Sequence, residues 1–240
     1  VFSVVFSPDG RVLASGGADK EIKLWNLEAG KLLRALTGHS HWVLSVTFSP
    51  DGKSLVSGGA DKTIKVWSLE TDETLHTLEH PDWVLSVAVD PDGRHIASGC
   101  EDGAIRIWDL ETGSSVRTIA GHSGAVLSVA IDSDGQLLYS GGSDGKIKIW
   151  NPRTGEPIDV LTAHPDGVGC IAPSPDGRLL ASGGYDHAIK VWRKEGTQGL
   201  DAPGLEGGRA TGRPSYAGPG KLPPYKPGMG QPGRPQDLPD

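Results

Sequence analysis

The chain has 240 residues, and 23 Lys and Arg against 30 Asp and Glu leave it with a net charge of -7. That balance argues against a nucleic-acid binder, which needs a basic surface to neutralise phosphates. Two cysteines cannot frame a disulfide scaffold, so a reducing compartment is expected, the cytoplasm first with the nucleus not excluded.

No apolar run reaches the roughly 18 residues of a membrane span, so no membrane contact is expected. The chain opens on Val1 and its only methionine is Met229, so we expect the natural start to lie upstream.

From the N-terminus, the phrase FSPDGRVLASGGADKEIKLW at 6–25 returns as FSPDGKSLVSGGADKTIKVW at 48–67. It returns three more times, as VDPDGRHIASGCEDGAIRIW, IDSDGQLLYSGGSDGKIKIW and PSPDGRLLASGGYDHAIKVW. The closing tryptophans Trp25, Trp67, Trp108, Trp150 and Trp192 stand 42, 41, 42 and 42 residues apart. Repetition at one fixed period is the signature of a stacked-repeat architecture.

Within a unit, apolar and polar residues alternate in short runs separated by turn chemistry. VLSVTF (43–48) reads as a strand and SPDG as a tight turn, with proline presetting φ and glycine accepting positive φ. SLVSG reads as a second strand, TIKVW as a third and TLHTL (74–78) as a weaker fourth. No helical period is sustained anywhere, and four strands per unit is the blade of a propeller.

The pattern closely resembles the WD-repeat β-propeller family, with Gly38–His39 opening a unit and Trp67 closing its third strand. A true Trp–Asp pair occurs only at Trp108–Asp109. The resemblance implies an all-β propeller of about five four-stranded antiparallel blades over 1–192, in units 1–37, 38–79, 80–120, 121–162 and 163–192.

Serine, histidine and aspartate recur with the tryptophan in fixed order: His39, Ser57, Asp61, Trp67; His80, Ser98, Asp102, Trp108; His122, Ser140, Asp144, Trp150; His164, Ser182, Asp186, Trp192. The first unit carries Ser15, Asp19 and Trp25. Those letters could spell a hydrolytic triad, but a catalytic serine is single, strained and exposed beside an oxyanion hole. No G-x-S-x-G elbow surrounds any of these serines. A repeated polar set reads instead as a hydrogen-bonded network, each bond to a charged group contributing about 1.5–3 kcal/mol. The resemblance implies the same role, tying the inter-blade loop to the second and third strands.

Other chemistry is thin. GGSDGK (141–146) is a residue short of a phosphate loop, and DPDG (90–93) and DSDG (132–135) lack the later ligands of a calcium loop. Neither cofactor nor metal is expected.

Function should lie where the copies differ. Three residues after each opening histidine come Trp42, Trp83, Ala125 and Gly167. By the resemblance, this position faces the end of the central channel. The residues before the aspartates also vary, including Glu101 and Tyr185. With His41 and Asp82 they form a candidate partner-binding set suited to a basic or amphipathic peptide. The expectation is a non-catalytic scaffold for protein or peptide partners. Alternatives are the regulatory end of a larger signalling kinase or ATPase, and a peptide or modified-lysine reader caged by Trp42, Trp83 and Tyr185.

WD-repeat propellers usually close with seven blades, so five suggest a fragment with an open ring, whose bare ends further repeats or chain-to-chain pairing would cover. Pro173 takes the place of Phe6 and Phe48, a substitution fit for an edge strand. The segment 193–240 reads as a disordered tail: residues 196–240 hold 11 Gly and 9 Pro and no Val, Ile, Phe or Trp. Within it, KLPPYKP (221–227) has the form of an extended proline-rich ligand.

Overall fold

The computed structural model describes residues 1–194, and among these every regular element is a β-strand. The first sheet holds β1 (Ser3–Phe6), β2 (Val12–Gly16), β3 (Glu21–Asn26) and β4 (Lys31–Thr37). The second holds β5 (Val43–Phe48), β6 (Ser54–Gly59), β7 (Thr63–Ser68) and β8 (Thr74–Glu79). The third holds β9 (Val84–Val89), β10 (His95–Cys100), β11 (Ala104–Asp109) and β12 (Ser115–Ala120). The fourth holds β13 (Val126–Ile131), β14 (Leu138–Gly142), β15 (Lys146–Trp150) and β16 (Pro157–Thr162). The fifth has three strands among the described residues, β17 (Val168–Pro173), β18 (Leu179–Gly184) and β19 (Ile189–Arg193). The tail beyond 194, read above as disordered, lies outside the described residues with its KLPPYKP segment.

Each sheet is an antiparallel meander of consecutive strands, and turn chemistry explains why. In the SPDG turn the Ser49 hydroxyl donates to Asp51 Oδ1 at 2.6 Å, and Asp51 accepts the Lys53 N–H. Gly52 closes the turn at φ +69°, where a side chain would be strained. A β-bulge recurs just before the closing tryptophan, between Leu24 and Trp25, Val66 and Trp67, Ile107 and Trp108, and Ile149 and Trp150. A bulge re-aims the side chain that follows it, here the indole.

Successive first strands are neighbours: β1 with β5, β5 with β9, β9 with β13 and β13 with β17. A serine on each accepts a backbone N–H from the next sheet, at 3.0–3.1 Å: Ser3 from Val46, Ser45 from Val87, Ser86 from Val129 and Ser128 from Ile171. Cys170 holds that position in the fifth sheet. Four apolar cores fill the four junctions. In one, Ile22, Leu24 and Leu36 of the first sheet meet Val43, Val46, Phe48 and Trp67 of the second.

The two outermost faces have no such cover among the described residues. Phe6 is 64% exposed where Phe48 is 7%, and Ile189 is 80% exposed where Ile147 is 0%. Pro173 lies at the end of β17, an edge strand of its sheet paired only to β18, where a missing N–H costs no ladder bond.

Candidate functional site

The recurring polar set forms as a chain of hydrogen bonds in three sheets. In the second, His39 Nδ1 lies 2.8 Å from Asp61, Nε2 lies 2.7 Å from the Ser57 hydroxyl, and Trp67 Nε1–H donates to that hydroxyl at 2.8 Å. The fourth repeats it through His122, Asp144, Ser140 and Trp150, each bond 2.8 Å. The fifth repeats it through His164, Asp186, Ser182 and Trp192 at 2.8, 2.9 and 3.0 Å. With the imidazole proton on Nδ1 facing the carboxylate, the other ring nitrogen accepts the serine proton; this tautomer follows from the network. In the first sheet Trp25 donates to Ser15 at 3.0 Å, while Asp19 pairs with Lys23.

The bond order is that of a hydrolytic triad, yet the hydroxyl cannot act as one. Ser57 and Ser140 are fully buried, and an indole N–H already occupies each oxygen. A nucleophile needs reach to substrate. What the arrangement does instead is hold charge inside the fold. Burial alone would raise the Asp61 carboxyl, but the His39 bond and charge, with the Ser40 N–H and Thr63, outweigh it and hold it at about 2. Burial pushes His122 below the usual imidazole range against the pull of Asp144.

The third sheet departs from the expected set. Asp102 leaves His80 and forms a bidentate pair with Arg106, at 2.6 and 3.2 Å. Trp108 Nε1 is buried with no hydrogen-bond partner among the described residues. His80 keeps Ser98 at 2.9 Å and turns Nδ1 toward the Leu78 carbonyl at 3.3 Å. The cause is Cys100, which stands where the other sheets have Gly59, Gly142 and Gly184. A Cβ at Gly59 would sit 2.7 Å from Asp61 Oδ1 and 2.9 Å from His39 Nδ1, too close to both partners of the bond. Pro81 is not the cause: Ser40 and Ser123 lend backbone N–H groups to their aspartates, but Pro165 lends none and the fifth sheet still keeps its His164–Asp186 bond. His80, desolvated and without a carboxylate partner, falls to about 4. Burial pushes the Cys100 thiol up to about 11, and its S–H donates to the Asp82 carbonyl at 3.3 Å.

The variable residues gather where one backbone bond recurs. The residue before each aspartate donates its N–H to the carbonyl three residues past the histidine: Ala60 to Trp42, Glu101 to Trp83, Ser143 to Ala125 and Tyr185 to Gly167, at 2.9–3.1 Å. This bond seats Glu101 beside Trp83. Trp42 and Trp83 meet edge-on with ring centroids 6.3 Å apart. His41 lies 4.9 Å from Trp42 and stacks on Trp83 at 6.2 Å, with 27° between planes.

Phe2 joins at 5.6 Å from Trp42, a neighbour the sequence did not suggest. Lys62 sits 3.4 Å from Asp82. Tyr185 packs over Gly167 and Gly169 of its own sheet, two sheets from Trp83, so the cage of Trp42, Trp83 and Tyr185 does not assemble.

One further cluster brings ligand atoms together: Asp90, Asp92 and His95 lie within 4.8 Å of one another at the DPDG turn. Asp90 already accepts the N–H groups of Arg94 and His95 and the His95 ring at 2.7–2.8 Å, which explains the cluster as a turn cap.

Four-stranded blades, the buried His/Ser/Asp/Trp set and inter-blade stitching define a repeat propeller. The family model "WD domain, G-beta repeat" matches residues 1–26, 30–68, 72–109, 113–151 and 155–193, and the chain belongs to this family. WD repeats are generally protein-interaction scaffolds without catalytic activity.

The chain is similar to an uncharacterized WD repeat-containing protein of Nostoc sp., 49% identical over 43 residues, 18% of this chain and 3% of that protein. It is similar to the probable serine/threonine-protein kinase PkwA of Thermomonospora curvata, 46% identical over 41 residues, 17% of this chain and 6% of the kinase. It is also similar to the general transcriptional corepressor TUP1 of Saccharomyces cerevisiae, 49% identical over 37 residues, 15% and 5% of the two chains. Each match thus spans a small fraction of the relative's length.

Proposed function

We propose that this propeller segment is a non-catalytic scaffold that grips a protein or peptide partner on the face carrying Trp42 and Trp83. The observation that supports it most is the joined aromatic surface of Phe2, Trp42, His41 and Trp83, partly exposed on loops that precede first strands. Tryptophan is the commonest anchor of protein interfaces, and the remaining copies of this position are Ala125 and Gly167. Affinity capture tests it. Alanine at both Trp42 and Trp83 should leave the far-ultraviolet circular dichroism unchanged while at least one captured protein is lost. An identical captured set from both proteins would contradict the proposal.

The match to a WD-bearing kinase favours a second reading, in which the segment is the regulatory end of a larger signalling enzyme. The two readings share this face and differ only in whether the full protein also carries a catalytic domain.

A further inference from the structure

We infer that the patch of His41, Trp42, Asp82, Trp83 and Glu101 receives an arginine side chain from its partner, an inference that rests on the partner-binding reading of this face. The rings of Trp42, Trp83 and His41 form one cluster of flat aromatic surface, with centroids 4.9–6.3 Å apart and the two indoles edge to face. Two acidic residues border these rings in the chain and across one backbone bond. Asp82 adjoins Trp83 in sequence and accepts the Trp83 N–H at 3.0 Å. Glu101 is brought in by its backbone bond to the Trp83 carbonyl at 3.0 Å.

The charges are out of balance. Among the described residues Lys62 is the one cation paired here, 3.4 Å from Asp82, and it also donates to the Pro81 carbonyl at 3.1 Å. Among the described residues the Glu101 carboxylate has neither ion pair nor hydrogen bond. Burial, and then the charge of Asp82, raise its pKa above the usual range, so an incoming cation would relieve the repulsion between the two acids.

These features together select the guest. An apolar anchor would cover both carboxylates without compensating them, which is costly. An anion would be repelled. Lysine would satisfy the charge but presents a compact, strongly hydrated ammonium to flat walls. Guanidinium is planar, weakly hydrated and forked, so it can stack on an indole while its N–H groups reach carboxylate oxygens.

A phage-displayed library of random dodecapeptides, selected on the full chain and counter-selected on the Trp42→Ala/Trp83→Ala protein, supplies the probe. Tryptophan-dependent binders should carry arginine. In the strongest binder, measured by calorimetry, changing that arginine to neutral citrulline should weaken binding about tenfold or more, as expected for a charge-assisted bond. Arginine to lysine should weaken it by roughly two- to fivefold, the scale of an exposed cation–π difference. Glu101→Gln should weaken the arginine peptide and leave the citrulline peptide unmoved, at an unchanged unfolding temperature. Tryptophan-dependent binders without arginine, or equal binding of citrulline, would overturn the arginine assignment and leave the face reading standing. Failure to find any tryptophan-dependent binder would count against both.

Discussion

Cys100 differs from Gly59, Gly142 and Gly184 by one side chain, and that side chain reroutes four others. Its Cβ crowds both partners of the His–Asp bond, Asp102 pairs with Arg106, His80 turns to a backbone carbonyl, and Trp108 has no partner among the described residues. The imidazole and indole rings draw closer as well, 5.1 Å for His80 and Trp108 against 6.1 Å for His39 and Trp67. Cys100→Gly should therefore restore the set. A regained bond to a charged group contributes about 1.5–3 kcal/mol. Glycine's extra chain entropy offsets roughly 0.5–1 of that, leaving a net gain near 1 kcal/mol. Urea denaturation reads the change, and a loss of stability would refute the steric account.

The same residue shows where letters stop being informative. Asp102 and Trp108 keep their identities and their spacing, so their sequence still reads as an intact set. Whether a Cβ is tolerated at the neighbouring position depends on a carboxylate 2.7 Å away, a distance created by strand register. The interrupted Gly–Gly in SGCED was the available signal.

At the scale of strands and sheets, alternation and turn residues were enough to place β5 at Val43–Phe48 and β7 from Thr63, because each feature is local. The tryptophans of the aromatic patch were legible too, as the odd members of a repeated position. Phe2 was not, because it reaches Trp42 only through the packing of β1 against β5. Tyr185 shares the backbone bond that seats Glu101, but the intervening fourth sheet keeps it from Trp83.

Equivalent strands also differ by what covers them. Ile147 on β15 is fully buried and Ile189 on β19 is 80% exposed. Ile147→Ala should cost about 2–5 kcal/mol, the range for a buried aliphatic truncation, and Ile189→Ala under about 0.5 kcal/mol, as for an exposed site. Equal costs would mean that the last face is covered in solution.

Across the described molecule, stability is the sum of repeated junctions, as in any stacked-repeat protein. Four cores alternate with five sheets, and a polar set secures the loop side of the second, fourth and fifth. In the proposed reading, the shared residues build the scaffold and recognition falls to the unshared Trp42, Trp83 and their neighbours. That division stands or falls on the polar set being structural, and two aspartates of one lineage with different partners allow a direct comparison. Asp61 is held by buried His39, whereas Asp102 is held by Arg106 with its side chain 25% exposed. Urea midpoints of Asp61→Ala and Asp102→Ala, measured side by side, should show a loss of about 2 kcal/mol for the first and under about 1 kcal/mol for the second. Equal losses, or an Asp61→Ala protein as stable as its parent, would contradict the account.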